Sequence, residues 1–250
     1  MATGPTAPVL IDADGNHEHL RRMPLRRGSD NSFDEAWLQD LLFRAPSCLP
    51  LDEIDASFGQ LIPLCREMHT PGGYVDLLFI TPDGRLVIVE AKLWRNPEAR
   101  RKVVGQILDY AKDFASFDFA QLDALVRRAQ KASGAERVGL VDTVRNNVPA
   151  LDEATFCDAV SRSLRRGDFL LIIVGDGIHE GARGITEFLE SYGTLNFTFG
   201  LVEVGVYAFA DGRRLVQPRV LMQSVIAQRI VVEVAQGSDA TVSIGDDAGD

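Results

Sequence analysis

Residues 74–81 and 85–91 form two apolar segments separated only by Pro82-Asp83-Gly84, and each carries charge where burial would forbid an unpaired one. Thr81-Pro-Asp-Gly-Arg85 suits a type I turn at Pro82-Asp83 with Gly84 in the left-handed region, which makes the pair a β-hairpin. Such a loop pairs Thr81 with Arg85. Stepping back along both arms then sets Asp76 opposite Glu90, and strand alternation puts Lys92 on the same face as Glu90. Two carboxylates and an ammonium are therefore expected together on one face of a sheet, by register alone.

That trio matches a definite chemistry. Asp76 and Glu90, with the Ala91 carbonyl, are hard oxygen ligands suited to Mg²⁺ or Mn²⁺. A cation held there polarises a phosphate and lowers the pKa of a bound water, while Lys92 orients the water or stabilises transition-state charge. The alternative is a cross-strand salt bridge between Lys92 and one of the carboxylates, which also perturbs buried groups. Downstream, Gln106 and Tyr110 lie one helical turn apart on a helix. With Val103, Ile107 and Phe114 they line the side that faces the sheet.

Around this segment the chain reads as an α/β domain with a mixed sheet flanked by helices. Residues 1–8 read as a flexible tail, and residues 9–11 and 20–25 as a hairpin around Asp14-Gly15-Asn16. A helix is expected from Ser32 to about Phe43, and strands at 61–64, 74–81 and 85–91. A long helix opens at Asn96-Pro97 and runs to about Phe114, with further helices at 120–132, 152–164 and 186–191. The run 169–175 (Phe-Leu-Leu-Ile-Ile-Val-Gly) fits a strand buried on both faces. Strands near 197–209 and 214–220 follow, with Glu203 expected to face solvent. The nuclease-like domain is placed at 9–236, and 237–250 is expected to be an acidic disordered tail.

Over residues 32–115 the sequence resembles the PD-(D/E)XK (restriction-endonuclease-like) nuclease superfamily, in its RecB-type branch with a Q-x-x-x-Y helix. The matching elements occur in order: Glu35 on the first helix, Asp76, Glu90-Ala91-Lys92, and Gln106-Ile-Leu-Asp-Tyr110. Val75 stands where the family name has proline. The resemblance implies a restriction-endonuclease-like mixed sheet, metal binding by Asp76 and Glu90, a catalytic Lys92, and site support from Gln106, Tyr110 and Glu35. Glu35 has a second reading, since Ser32-Phe-Asp-Glu35 also spells a capping box.

Charge sets a condition on the partner. The net charge is −10 over 250 residues, whereas a generic nucleic-acid binder is basic. The acidic end of the chain can be solvated away from the site, while Arg95, Arg101 and Lys102 lie beside it, followed by Arg127, Arg128 and Lys131. A local basic rim can still hold a phosphate backbone. The chain is thus expected to be a Mg²⁺- (or Mn²⁺-) dependent nuclease acting on nucleic acid, DNA rather than RNA, with a homodimer as a candidate assembly. The alternative is a nuclease fold that only binds nucleic acid or a partner protein. Cys48, Cys65 and Cys157 are odd in number and widely spaced, which argues against disulfides or a thiolate metal site. No run is apolar enough to span a bilayer and no leader is recognisable, so a cytoplasmic location is expected. His17-Glu-His19 reads as an exposed strand.

Overall fold

The computed structural model describes residues 7–24, 33–93, 97–176 and 197–224. Nine strands and six α-helices occur among them. They are β1 (Val9–Ile11), β2 (His17–His19), β3 (Arg21–Met23), α1 (Glu35–Arg44), α2 (Leu51–Asp55), β4 (Ile62–Thr70), β5 (Gly73–Ile80) and β6 (Leu86–Leu93). There follow α3 (Pro97–Ser116), α4 (Phe119–Ala132), α5 (Leu140–Arg145), α6 (Glu153–Arg166), β7 (Phe169–Asp176), β8 (Thr198–Ala208) and β9 (Arg214–Ser224). Seven strands form one sheet in the order β3-β8-β7-β6-β5-β4, with β9 on β8. β6, β7 and β8 are parallel neighbours and the remaining pairs are antiparallel. This is the mixed α/β architecture, with helices flanking a mixed sheet, that the resemblance implies.

Each face of the sheet carries its own core. Leu78, Ile80, Leu86, Ile88, Leu171 and Ile173 pack beneath α3, α4, α5 and α6. Leu77, Phe79, Val87, Val89, Ile172 and Val174 pack against α1 and α2 on the other side. Covering both faces explains why the apolar run of β7 does not alternate with polar residues: its first seven residues are all buried. Each large apolar side chain removed from water contributes roughly 1.5–3 kcal/mol.

Local signals set the helix ends. Asp34 caps α1 by accepting from the Trp37 amide at 2.8 Å, and Asp152 caps α6 by accepting from Thr155 at 2.8 Å. Asp118 and Gln121 form a reciprocal capping box on α4. α6 ends at Gly167, which takes the left-handed conformation.

The central hairpin turns as expected. The Thr81 amide donates to the Arg85 carbonyl at 2.9 Å, the Gly84 amide donates to the Thr81 carbonyl at 3.0 Å, and Gly84 has φ +84. A Cβ on Gly84 would also sit 2.8 Å from the Val160 backbone nitrogen, because the turn is seated on α6. Glycine is required there twice over, for conformation and for close approach.

Three expectations are corrected. β1 pairs with β2 (Val9 against His19), while residues 21–23 join the main sheet beside β8, so the N-terminal hairpin is shorter than 9–25. Asp34, not Ser32, caps α1, since its carboxylate reaches the third amide and Glu35 becomes the first helical residue. Glu203 is buried, not solvated, because Arg219 of the neighbouring β9 ion-pairs with it at 2.6 Å. The expected helix at 186–191 and the tail at 237–250 lie outside the described residues.

Candidate active site

The β5–β6 ladder pairs Leu77 with Val89, and one step further brings Asp76 opposite Glu90. At that step the ladder changes character. The Ala91 amide donates to Asp76 Oδ2 at 2.8 Å, so a side-chain carboxylate takes the backbone donor. The strand also twists over. Val75 lies in the core beneath α3, whereas Leu77, two residues on, lies in the core beneath α1. Strict alternation would put both on one face. β4 behaves alike on the other side of β5. Arg66 reaches Asp40 of α1 at 3.0 Å, while Met68 packs beneath α3. Both inversions occur in the row occupied by Glu67 and Asp76, and Glu67 has φ +49. The site thus coincides with a local break in the sheet.

Glu90 is 1% exposed, and its Oε2 has no hydrogen-bond partner among the described residues. Lys92 Nζ stands 3.9 Å from the other oxygen, at the outer limit of an ion pair. Burial pushes the Glu90 carboxyl well above the usual carboxylate range, helped by the charges of Asp76, Glu35 and Glu67 and opposed by Lys92. Asp76 is raised for the same first reason, burial. The Ala91 amide, Lys92 and a hydrogen bond from the Gln39 side chain act against it, and Glu67 acts with it. A buried carboxylate oxygen without a donor is costly unless something outside the chain pairs with it.

α3 is tied to this row through Tyr110. Its hydroxyl is fully buried and donates to the Tyr74 carbonyl at 2.5 Å, while the Gln106 side-chain amide donates to the same hydroxyl. Gln106 therefore acts through Tyr110, and no bond from it to a carboxylate occurs among the described residues. Burial raises the Tyr110 pKa, and the negative charges of Glu90, Asp76 and Glu67 raise it further. Both glycines before Tyr74 abut this helix: a Cβ on Gly73 would meet the Tyr110 hydroxyl at 3.4 Å, and the Gly72 amide donates to Asp113 at 2.7 Å.

The structure thus brings together Asp76, Glu90, Ala91, Lys92, Gln106 and Tyr110, with Glu35 close enough for its charge to act on Glu90. Lys102 is exposed on α3. Arg95 and the side chain of Arg101 lie outside the described residues. Arg127, further along the basic series, is held by Asp123 at 2.7 Å. Two participants were missed by sequence reasoning. Gln39 lies on the apolar side of α1 beside Leu38 and Leu42, and a glutamine on a buried helix face is itself a signal. Glu67 is the other, and its left-handed backbone leaves no mark in the sequence.

Among the described residues no three His, Cys, Asp or Glu side chains are gathered tightly enough to hold an ion as they stand. Two like charges in a dry setting keep apart, and Asp76 is engaged by Ala91. The donor set nevertheless fits a divalent cation. The open Oε2 of Glu90, the carboxylate of Asp76 and the carbonyl of the adjoining Ala91 are all hard oxygens.

No family model matches the chain, and no curated protein matches it. A solved structure, the EndoMS–dsDNA2 complex, shares 19% identity with it, covering 69% of this chain and 48% of that one, with a TM-score of 0.27. The chain thus spans about half the length of that neighbour. A likeness of that size does not establish membership of a family. No helix among the described residues is long and apolar enough to cross a membrane.

Proposed function

We propose that the chain is a divalent-cation-dependent nuclease of the PD-(D/E)XK kind, in the branch with a Q-x-x-x-Y helix, that hydrolyses phosphodiester bonds, with DNA as its substrate and Mg²⁺ or Mn²⁺ as its cation. The observation that carries this reading is the orphaned, buried Oε2 of Glu90 beside Asp76. A salt bridge to Lys92 does not account for it. The ammonium is 3.9 Å from the opposite oxygen and 38% exposed, so one carboxylate oxygen remains without a partner.

In this reading Asp76, Glu90 and the Ala91 carbonyl hold the cation, which when bound supplies Lewis-acid polarisation of the phosphate and a more acidic water. Lys92 donates to the attacking water or to the phosphoryl oxygens as charge develops on them. Gln39 holds Asp76 from the α1 side. Gln106 and Tyr110 hold the start of β5, and hence Asp76, against α3. Lys102, with Arg95 and Arg101, is the candidate contact for the phosphate backbone, which a protein of net charge −10 needs locally.

The test is cleavage of single-stranded, double-stranded and branched DNA and of RNA, with Mg²⁺, with Mn²⁺ and with chelator. Cation-dependent cleavage of DNA that Asp76→Asn abolishes is the expected result. Binding without cleavage of any substrate would instead favour a nuclease fold that serves only to bind.

A further inference from the structure

The charged row that crosses the sheet at the site does not end at Asp76. The β4–β5 register sets Arg66 against Leu77 and Met68 against Val75, so the residue across from Asp76 is Glu67. The β5–β6 ladder ends at Leu77 and Val89, and one step beyond it Asp76 stands across from Glu90. Continuing both ladders past their paired residues puts three carboxylates at one level on three neighbouring strands, where the regular pairing breaks off. Like charges placed so are mutually repulsive, and a sheet has no structural use for them.

The backbone adds a second, independent peculiarity. Glu67 is the one non-glycine residue with positive φ among the described residues, at +49°, in the middle of a nine-residue strand. A side chain disfavours that conformation, and glycine or asparagine would take it more readily. Strain of this kind persists where function repays it. The inversion also does something local. It lets Arg66 turn to α1 and Met68 to the core beneath α3, and it leaves Glu67 exposed at the switch. Glu67 is near enough for its charge to act on Asp76, Glu90 and Tyr110. The open oxygen of buried Glu90 in the same row independently points to a cationic ligand.

We infer that Glu67 is a third anionic ligand for the cation held by Asp76 and Glu90, brought to their row by the left-handed backbone of β4. This rests on the cation site proposed above. Glu67 is exposed in the cation-free protein, and its side chain turns inward when a cation draws it toward Asp76 and Glu90. Two carboxylates and a carbonyl leave several positions of an octahedral shell to water, and Glu67 takes one of them.

The experiment measures Mn²⁺ binding to the full chain by calorimetry and by electron paramagnetic resonance, with thermal melts in chelator. Wild type is compared with Glu67→Gln, Glu67→Gly and Asp76→Asn. Losing a direct ligand should weaken Mn²⁺ binding about tenfold or more, given that losing even an outer-shell partner costs 10–100-fold. Glu67→Gly should weaken it equally while melting at or above the wild-type temperature, because glycine relieves the backbone. If wild type binds Mn²⁺, Asp76→Asn does not, and both Glu67 variants bind like wild type, the role of Glu67 is overturned and the cation site stands. If wild type binds no Mn²⁺, the site and the role fall together.

Discussion

Two glutamates lie almost wholly buried in the same sheet, Glu90 in β6 at 1% exposure and Glu203 in β8 at 3%. Glu203 is met by cations. Arg219 Nη2 stands 2.6 Å from one oxygen and Arg22 Nη2 3.8 Å from the other, with Arg22 also joined to Asp176 at 2.5 Å. Glu90 is met only by an ammonium at 3.9 Å and faces Asp76, whereas Glu203 has a short ion pair on one of its oxygens. The fold can thus neutralise a buried carboxylate where it needs to. The absence of a comparable pair at Glu90 is what the proposed cation site would account for.

The contrast can be broken most directly at Lys92. Lys92→Ala should lower cleavage about 10²–10³-fold, the range for removing one transition-state donor, and leave Mn²⁺ affinity within a small factor of wild type. Its melting temperature in chelator should hardly move, since a long, partly exposed ion pair contributes about 0–1 kcal/mol. If Lys92→Ala instead unfolds the protein, Glu90 is an ordinary salt-bridged residue like Glu203.

Arg219→Ala is the mirror experiment. It strips Glu203 of its short ion pair and should destabilise the protein by about 1–3 kcal/mol in urea unfolding, with no change in cation affinity. An unchanged midpoint would mean that Arg22 alone suffices, and the two glutamates would differ less than their surroundings suggest.

A smaller effect sharpens the comparison through pH. Folding raises the pKa values of Asp76 and Glu90, so between the unfolded carboxylate range and those raised values the folded state binds more protons than the unfolded one. Their contribution is therefore fully favourable below about pH 4, the unfolded range, and is lost as pH rises through the folded values. In chelator, unfolding midpoints should decline between about pH 5 and pH 8, and Glu90→Gln should flatten that decline. Saturating Mg²⁺ should restore the loss at the alkaline end, because cation binding needs the deprotonated form. A decline that Glu90→Gln leaves intact would assign the pH dependence to other groups.

Much of this was legible in the sequence because it depends on short-range rules. The turn at 82–84 and the opposition of Asp76 to Glu90 follow from one loop and a two-residue period. The buried run of β7 and the start of α3 at Pro97 announce themselves locally as well. What was not legible depends on distant partners. Glu203 interrupts an apolar strand and reads as solvent-facing, but Arg219 arrives from the next strand and Arg22 from the other end of the chain. The N-terminal segment divides between two sheets because Arg21–Met23 finds β8, a choice no local pattern encodes. Ser32 spells a capping box, yet Asp34 takes the cap of α1. The left-handed Glu67 lies beyond any propensity, since the residue type argues against the conformation.

The seating of Gly84 on α6 makes the hairpin a ruler. The Thr81–Arg85 closure and the Asp76–Glu90 row lie five residues apart on each arm, and the turn end is clamped against a helix backbone. An inserted or deleted residue in the loop has nowhere to be absorbed at that end, so it must travel down one arm as a one-residue slip. A slip of one turns every following side chain to the opposite face. Asp76 or Glu90 would then trade places with an apolar neighbour of the other core. Loop length at 82–84 is for this reason a dimension on which the proposed cation site depends, measured at one end of the sheet and read out at the other.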